Sequence, residues 1–189
     1  LDQKARQAKS LIFCNPQNPT GRMYSRSELL QLADVASRHD LTIISDEIHW
    51  GLVLEPTLRH IPIASLDTEI ARRTVTFIAA TKTYNMAGLN VGAAIIPHAG
   101  MRRQFAGAVD HTIGMPSALP MAASEAAYRD RSSWRIDLCE YLRGNRDMLE
   151  SAVNRIDGLR TTRVEGTHLA LIDARVLGVA NPQEHFERF

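Results

Sequence analysis

The sequence has 189 residues, 44% of them hydrophobic, and its 22 basic against 21 acidic residues leave a net charge of +1. That length suits one full α/β domain or one and a fraction, with enough apolar content for a sizeable core. The near-zero balance offers no footprint for nucleic acid or an anionic membrane surface.

Residues 10 to 14 (Ser-Leu-Ile-Phe-Cys) read as a short buried strand. The stretch Asn15-Pro16-Gln17-Asn18-Pro19-Thr20-Gly21 then reads as a tight loop, because two Asn-Pro pairs and a glycine cannot continue the extended run. Ser25 and Glu28 have the spacing of a capping box. Behind them Leu29, Leu30, Leu32, Ala33, Val35 and Ala36 predict an amphipathic helix to about Asp40. Leu41 to Ser45 is the next strand, followed by Asp46-Glu47-Ile48-His49, and residues 50 to 70 read as irregular. Thr74 to Ile78, β-branched and aromatic, form a third buried strand that runs into Ala79, Ala80, Thr81 and Lys82. Val91 to Ile96 read as a fourth strand, closed by Pro97.

Strand, helix, strand with short connections predicts a right-handed parallel crossover for the first two strands, with the third beside them. The loop before the fourth strand is too short for a helical crossover and predicts an antiparallel partner. From residue 101 the pattern turns helical: 101–111, 117–129, and a long helix from Ser132 to about Asp157. Thr161 to Asp173 read as one or two strands about Gly166. This shift predicts two incomplete parts, residues 1–145 from a large domain and 146–189 opening a smaller one.

Cys14 and Cys139 lie far apart and in no metal spacing, which suggests a reduced, cytoplasmic protein with ordinary buried thiols. No apolar run approaches the ~20 residues of a membrane-spanning helix, and no signal peptide is read. The chain starts at Leu1 rather than Met and stops at Phe189 inside a helical pattern, so a fragment is expected.

Asn18, Asp46 and Lys82 follow the carboxyl ends of three consecutive strands. In a parallel sheet those ends open on one edge, so the three side chains can converge. Each also has a plainer reading. Asn18 suits a turn, Asp46 a cap, and His49 beside Trp50 a packed core imidazole. His168 reads as structural before catalytic, and Tyr84 can face a site or pack under it.

The ordered strings N-P-Q-N-P-T-G, S-D-E-I-H and T-K-T-Y-N-M-A-G-L resemble the pyridoxal-phosphate (PLP) enzymes of the aspartate aminotransferase fold. S-D-E-I-H-W, His60-Ile61-Pro62, G-M-P-S-A-L at 114–119 and E-G-T-H-L at 165–169 are most similar to the carbon–sulfur lyase branch, the cystathionine β-lyases. The resemblance implies an α/β fold of PLP-dependent transferase type I, covering the middle of the large-domain sheet and the start of the small domain. It implies that Lys82 forms a Schiff base with the cofactor aldehyde and moves the substrate Cα proton. Asp46 then pairs with the pyridine nitrogen, Asn18 and His49 address the ring oxygen, and Thr81 offers its hydroxyl to the phosphate. A cis Asn18-Pro19 bond is implied as well.

Ala79 and Asn90 stand where many relatives carry a phosphate-binding serine and arginine, so phosphate binding must lean on Thr81 and on groups outside these 189 residues. The function expected is β-elimination from a sulfur amino acid, giving a thiol, pyruvate and ammonia, in a homodimer when full length. The alternatives are an aminotransferase using the same residues, and a PLP-binding sensor domain of a transcription regulator or other non-catalytic module.

Overall fold

The structure, a computed structural model, describes residues 1–110 and 112–188. After a short helix α1 (Asp2–Ala5), β1 (Ser10–Cys14) opens a four-stranded sheet. Helix α2 (Arg26–Arg38) crosses over to β2 (Thr42–Asp46), and α3 (Thr68–Arg72) leads into β3 (Thr74–Ile78). The short α4 (Ala80–Thr83) precedes β4 (Ala93–Ile95). Spatial order follows chain order: β1, β2 and β3 are parallel and β4 is antiparallel to β3, as the connection lengths require.

Helix α2 starts where the capping box predicts. The Ser25 hydroxyl accepts the Glu28 N–H and the Glu28 carboxylate accepts the Ser25 N–H at 2.9 Å. It buries Leu29, Ala33 and Ala36, one face at helical spacing, against Phe13, Leu41, Ile43, Ile63 and Ile70. The helix stops at Arg38, short of the expected Asp40, which takes a left-handed φ of 50°.

The region read as irregular, 50 to 70, carries a 3₁₀ turn at Ile63–Ser65 and the first part of α3, whose N-terminus the Asp67 carboxylate caps at 2.7 Å. The fourth strand is shorter than Val91 to Ile96: it starts at Ala93, opposite Ile78, the last residue of β3, and its pairing ends with Ile95 opposite Thr76.

Helices α5 (Ala99–Asp110), α6 (Ala118–Arg129) and α7 (Trp134–Val153) follow. The predicted first helix reaches residue 111, which lies outside the described residues, as does Phe189. The long helix is trimmed to Trp134–Val153 at both ends. Two-residue strands β5 (Arg160–Thr161) and β6 (Ile172–Asp173) pair antiparallel, and α8 (Pro182–Glu187) closes the chain. The centre of the expected 161–173 strand pairs elsewhere, Gly166 bridging to Val53. Among the described residues no helix is long and apolar enough to cross a membrane.

A second core sets α7 against the loop after β2, with Leu52, Leu54, Cys139 and Val164 buried together. Arg143 Nε donates to the Leu54 carbonyl at 2.9 Å. The buried Arg146 guanidinium donates to the Val164 carbonyl at 3.1 Å, with Glu55 at 3.6 Å and Asp147 at 2.8 Å compensating its charge.

Candidate active site

The predicted residues lie along the carboxyl edge of the three parallel strands, and of them Thr81 and Lys82 line one cavity, whereas Asn18, Asp46 and His49 do not. Asp46 is the last residue of β2, in register with Cys14 on one side and Phe77 on the other. Its Oδ1 accepts the Ile48 N–H at 3.2 Å. Burial pushes the Cys14 thiol up, and the nearby Asp46 charge adds to that.

Lys82 sits on α4, just past the end of β3, and is half-buried. Buried Ala79 and Ala80 let the chain turn from strand into helix at a crowded point. Gly51 presses on the same helix, since a Cβ there would stand 2.5 Å from Thr83 Oγ1. Lys82 lines a cavity of about 330 Å³ with Thr81, Leu52, Asn85, Trp134 and His168. Among the described residues, Thr83 Oγ1, Asn15 Nδ2 and both ring nitrogens of His49 are buried without a hydrogen-bond partner.

His49 is only 2% exposed. Its ring centroid lies 5.4 Å from that of His168. Burial, then the His168 and Lys82 charges, push His49 down to about 4 against the opposing pull of Asp46. Burial and then Lys82 also lower His168. Asp46, His49, Lys82 and His168 therefore share one electrostatic neighbourhood. Two neutral imidazoles beside a primary amine and a carboxylate form a donor and acceptor set that fits a polar aromatic ring carrying an aldehyde.

Asn18 is exposed in the loop beyond β1, just before a cis peptide bond to Pro19, and its carbonyl accepts from Gln17 Nε2 at 2.7 Å. It shares the sheet edge with Lys82 but does not line the Lys82 cavity. Tyr84 stacks on Trp134 at 5.2 Å and packs under α7. Trp134 lies within the long helix expected from Ser132, but its place in the cavity wall follows only from the docking of α7. His168, which reads from the sequence as structural before catalytic, lines the Lys82 cavity because Gly21 and Leu52, more than a hundred positions upstream, anchor the residues before it.

A parallel α/β sheet with a lysine-bearing helix at its carboxyl edge has the fold of the type I PLP-dependent transferases. Residues 1–180 match the model of the aminotransferase class I and II family, and the chain belongs to that family. It is 33% identical over 174 residues to cystathionine β-lyase PatB of Bacillus subtilis, covering 91% of this chain and 45% of PatB. The crystal structure of OvoB superposes with a TM-score of 0.93 at 40% identity, over 99% of this chain and 49% of that one. PLP-containing cystalysin of Treponema denticola gives 0.87 at 32%, over 94% and 47%. N-Succinyldiaminopimelate aminotransferase of Mycobacterium tuberculosis gives 0.80 at 30%, over 98% and 48%. The chain spans about half the length of these relatives or less.

Proposed function

We propose that the full-length protein is a PLP-dependent carbon–sulfur β-lyase acting on a sulfur amino acid such as cystathionine. The observation that carries this reading is the cavity shared by Lys82, Thr81 and His168, with His49 and Asp46 acting on the same charges. The likeness to cystathionine β-lyase PatB supports the lyase branch.

PLP, when bound, supplies an aldehyde for an amine and a ring that withdraws electrons from the substrate Cα. Lys82 is the group that holds it covalently and, once released, takes the Cα proton. The Asp46 carboxylate would pair with the ring nitrogen and hold its proton. His49 and Asn18 address the ring oxygen, and the Thr81 hydroxyl the phosphate. Leu52, Leu138 and Leu142 in the cavity wall limit water around the reacting carbon. The two-part division at residues 1–145 and 146–189, with α7 as the bridge, and a homodimeric assembly belong to the same proposal.

A second reading is an aminotransferase, favoured by the likeness to N-succinyldiaminopimelate aminotransferase. Both reactions begin with removal of the Cα proton by Lys82. They part when elimination expels a group from Cβ, whereas transamination stores the amine. The test gives the purified full-length enzyme cystathionine without any keto acid and measures pyruvate and free thiol. Sustained release of both supports elimination. Turnover only with an added keto acid, recovered as its amino acid, replaces the lyase reading with the aminotransferase one.

A further inference from the structure

His168 is the chemistry-bearing side chain of the cavity to which the lyase reading gives no task. It follows a segment held with unusual firmness. The Glu165 and Gly166 N–H groups both donate to the Gly21 carbonyl, at 2.9 and 2.8 Å. The Thr167 N–H donates to the Leu52 carbonyl at 2.9 Å, and the Glu165 carboxylate accepts the Met23 N–H at 2.8 Å. Thr167 is fully buried and takes a φ of +71°, a left-handed conformation that is unfavourable for a β-branched residue. Its hydroxyl accepts the Leu169 N–H at 3.1 Å across that bend. Strain of this kind persists only where the surroundings over-determine the backbone, and here the bend immediately precedes His168.

The side chain so placed is exposed, while its own cavity is shared with Lys82 and its ring lies against the buried His49. A histidine kept for packing would be expected inside. This one is open to a ligand in the cavity and next to the amine that takes the substrate proton.

We infer that His168 is a further catalytic residue, the group that protonates the departing sulfur. This rests on the lyase reading above. The proton balance closes without any outside reagent. Lys82 takes the Cα proton and passes it to one ring nitrogen of His168. The other ring nitrogen gives its proton to sulfur as the Cβ–S bond breaks and its electron pair leaves on sulfur. The pair left at Cα forms the Cα–Cβ double bond. The imidazole is neutral before and after, with its tautomer exchanged, and the thiol departs uncharged. Partial desolvation, and then the Lys82 charge, favour the neutral ring, so an acceptor and a donor nitrogen are available together.

An alkyl thiolate needs that proton and a chloride ion does not, so leaving groups separate the role from simple packing. His168→Gln in the full-length enzyme is compared with wild type on S-ethylcysteine and on β-chloroalanine, with cofactor content and melting temperature measured in parallel. The expected result is that kcat/KM for thiol release falls at least about tenfold more than kcat/KM for chloride release. An equal loss on both substrates, or none on either, overturns the assignment. If the wild type releases neither thiol nor chloride, the lyase reading itself has failed and this assignment falls with it. A second readout needs no turnover. In the full-length chain prepared without cofactor, the His168 imidazole, followed by NMR, should titrate at a higher pH in Lys82→Ala than in wild type. An unmoved midpoint means the two groups do not meet, and the proton path is wrong.

Discussion

The Gly21 carbonyl accepts the Gly166 N–H at 2.8 Å, joining the loop after β1 to a segment 145 positions later in the chain. Gly21 has a φ of +70°, and a Cβ there would meet Val164 Cγ1 at 2.5 Å and the Gly166 carbonyl at 2.9 Å. Both the conformation and the close approach require glycine. Gly21→Ala should therefore lower unfolding stability by about 2–4 kcal/mol, adding a left-handed penalty to overpacking. A urea unfolding midpoint equal to wild type would show that the two segments are not clamped as described.

Asp46 is half-buried at the sheet edge and is not part of the apolar core, so Asp46→Ala should fold. Its loss should still lower turnover by roughly 10²-fold or more, about 2.7 kcal/mol at ~1.4 kcal/mol per decade. Steady-state kinetics beside a far-ultraviolet circular dichroism spectrum test both halves. Wild-type turnover in the variant would make Asp46 a structural residue.

His49 gives a pH dependence with a definite sign. Its pKa is lowered from 6.5 in the open chain to about 4 in the fold, by burial first and then by the His168 and Lys82 charges, with Asp46 opposing. Between those values the unfolded chain binds more protons, so stability falls as pH drops from about 6.5 to about 4. Replacing His49 with phenylalanine should flatten this part of the curve. Urea midpoints at pH 7 and pH 4.5, wild type minus variant, measure it; parallel losses in the two proteins would mean that another group sets the acid response.

Two substitutions should separate core from site. Leu29→Ala opens a cavity beneath α2, away from Lys82, and should cost about 2–5 kcal/mol while cofactor attachment continues. Gly51→Ala pushes on Thr83 beside Lys82, and should cost about 1–3 kcal/mol while slowing attachment. Measured rates of PLP capture that track stability alike in both variants would break this distinction.

Much of the fold was legible locally. Ser25 with Glu28 fixed the start of α2, and the β-branched run Thr74 to Ile78 fixed β3, because both signals are set by near neighbours. The antiparallel β4 followed from loop length alone. That Asp46 and Lys82 share one edge was legible because parallel strands bring their carboxyl ends together. What stayed hidden depends on contacts distant in sequence. The short α3 rests on an Asp67 cap and on burying Ile70, and β5 and β6 are two residues long because Gly166 pairs with Val53 instead. The stacking of Tyr84 on Trp134 and the meeting of His49 with His168 both require the docked positions of α7 and the 164–169 segment.

Lys82 is the amine on which the cofactor chemistry depends. The sequence holds only two other lysines: Lys4 in α1, and Lys9 directly before β1, at the opposite end of the parallel strands from Lys82. Borohydride reduction of the PLP-loaded full-length enzyme, followed by peptide mass mapping, reports which lysine held the cofactor. The cofactor mass on the Lys82 peptide, lost in Lys82→Ala, is the predicted result. The same mass on a peptide without Lys82, in the wild-type enzyme, would contradict the account at its centre.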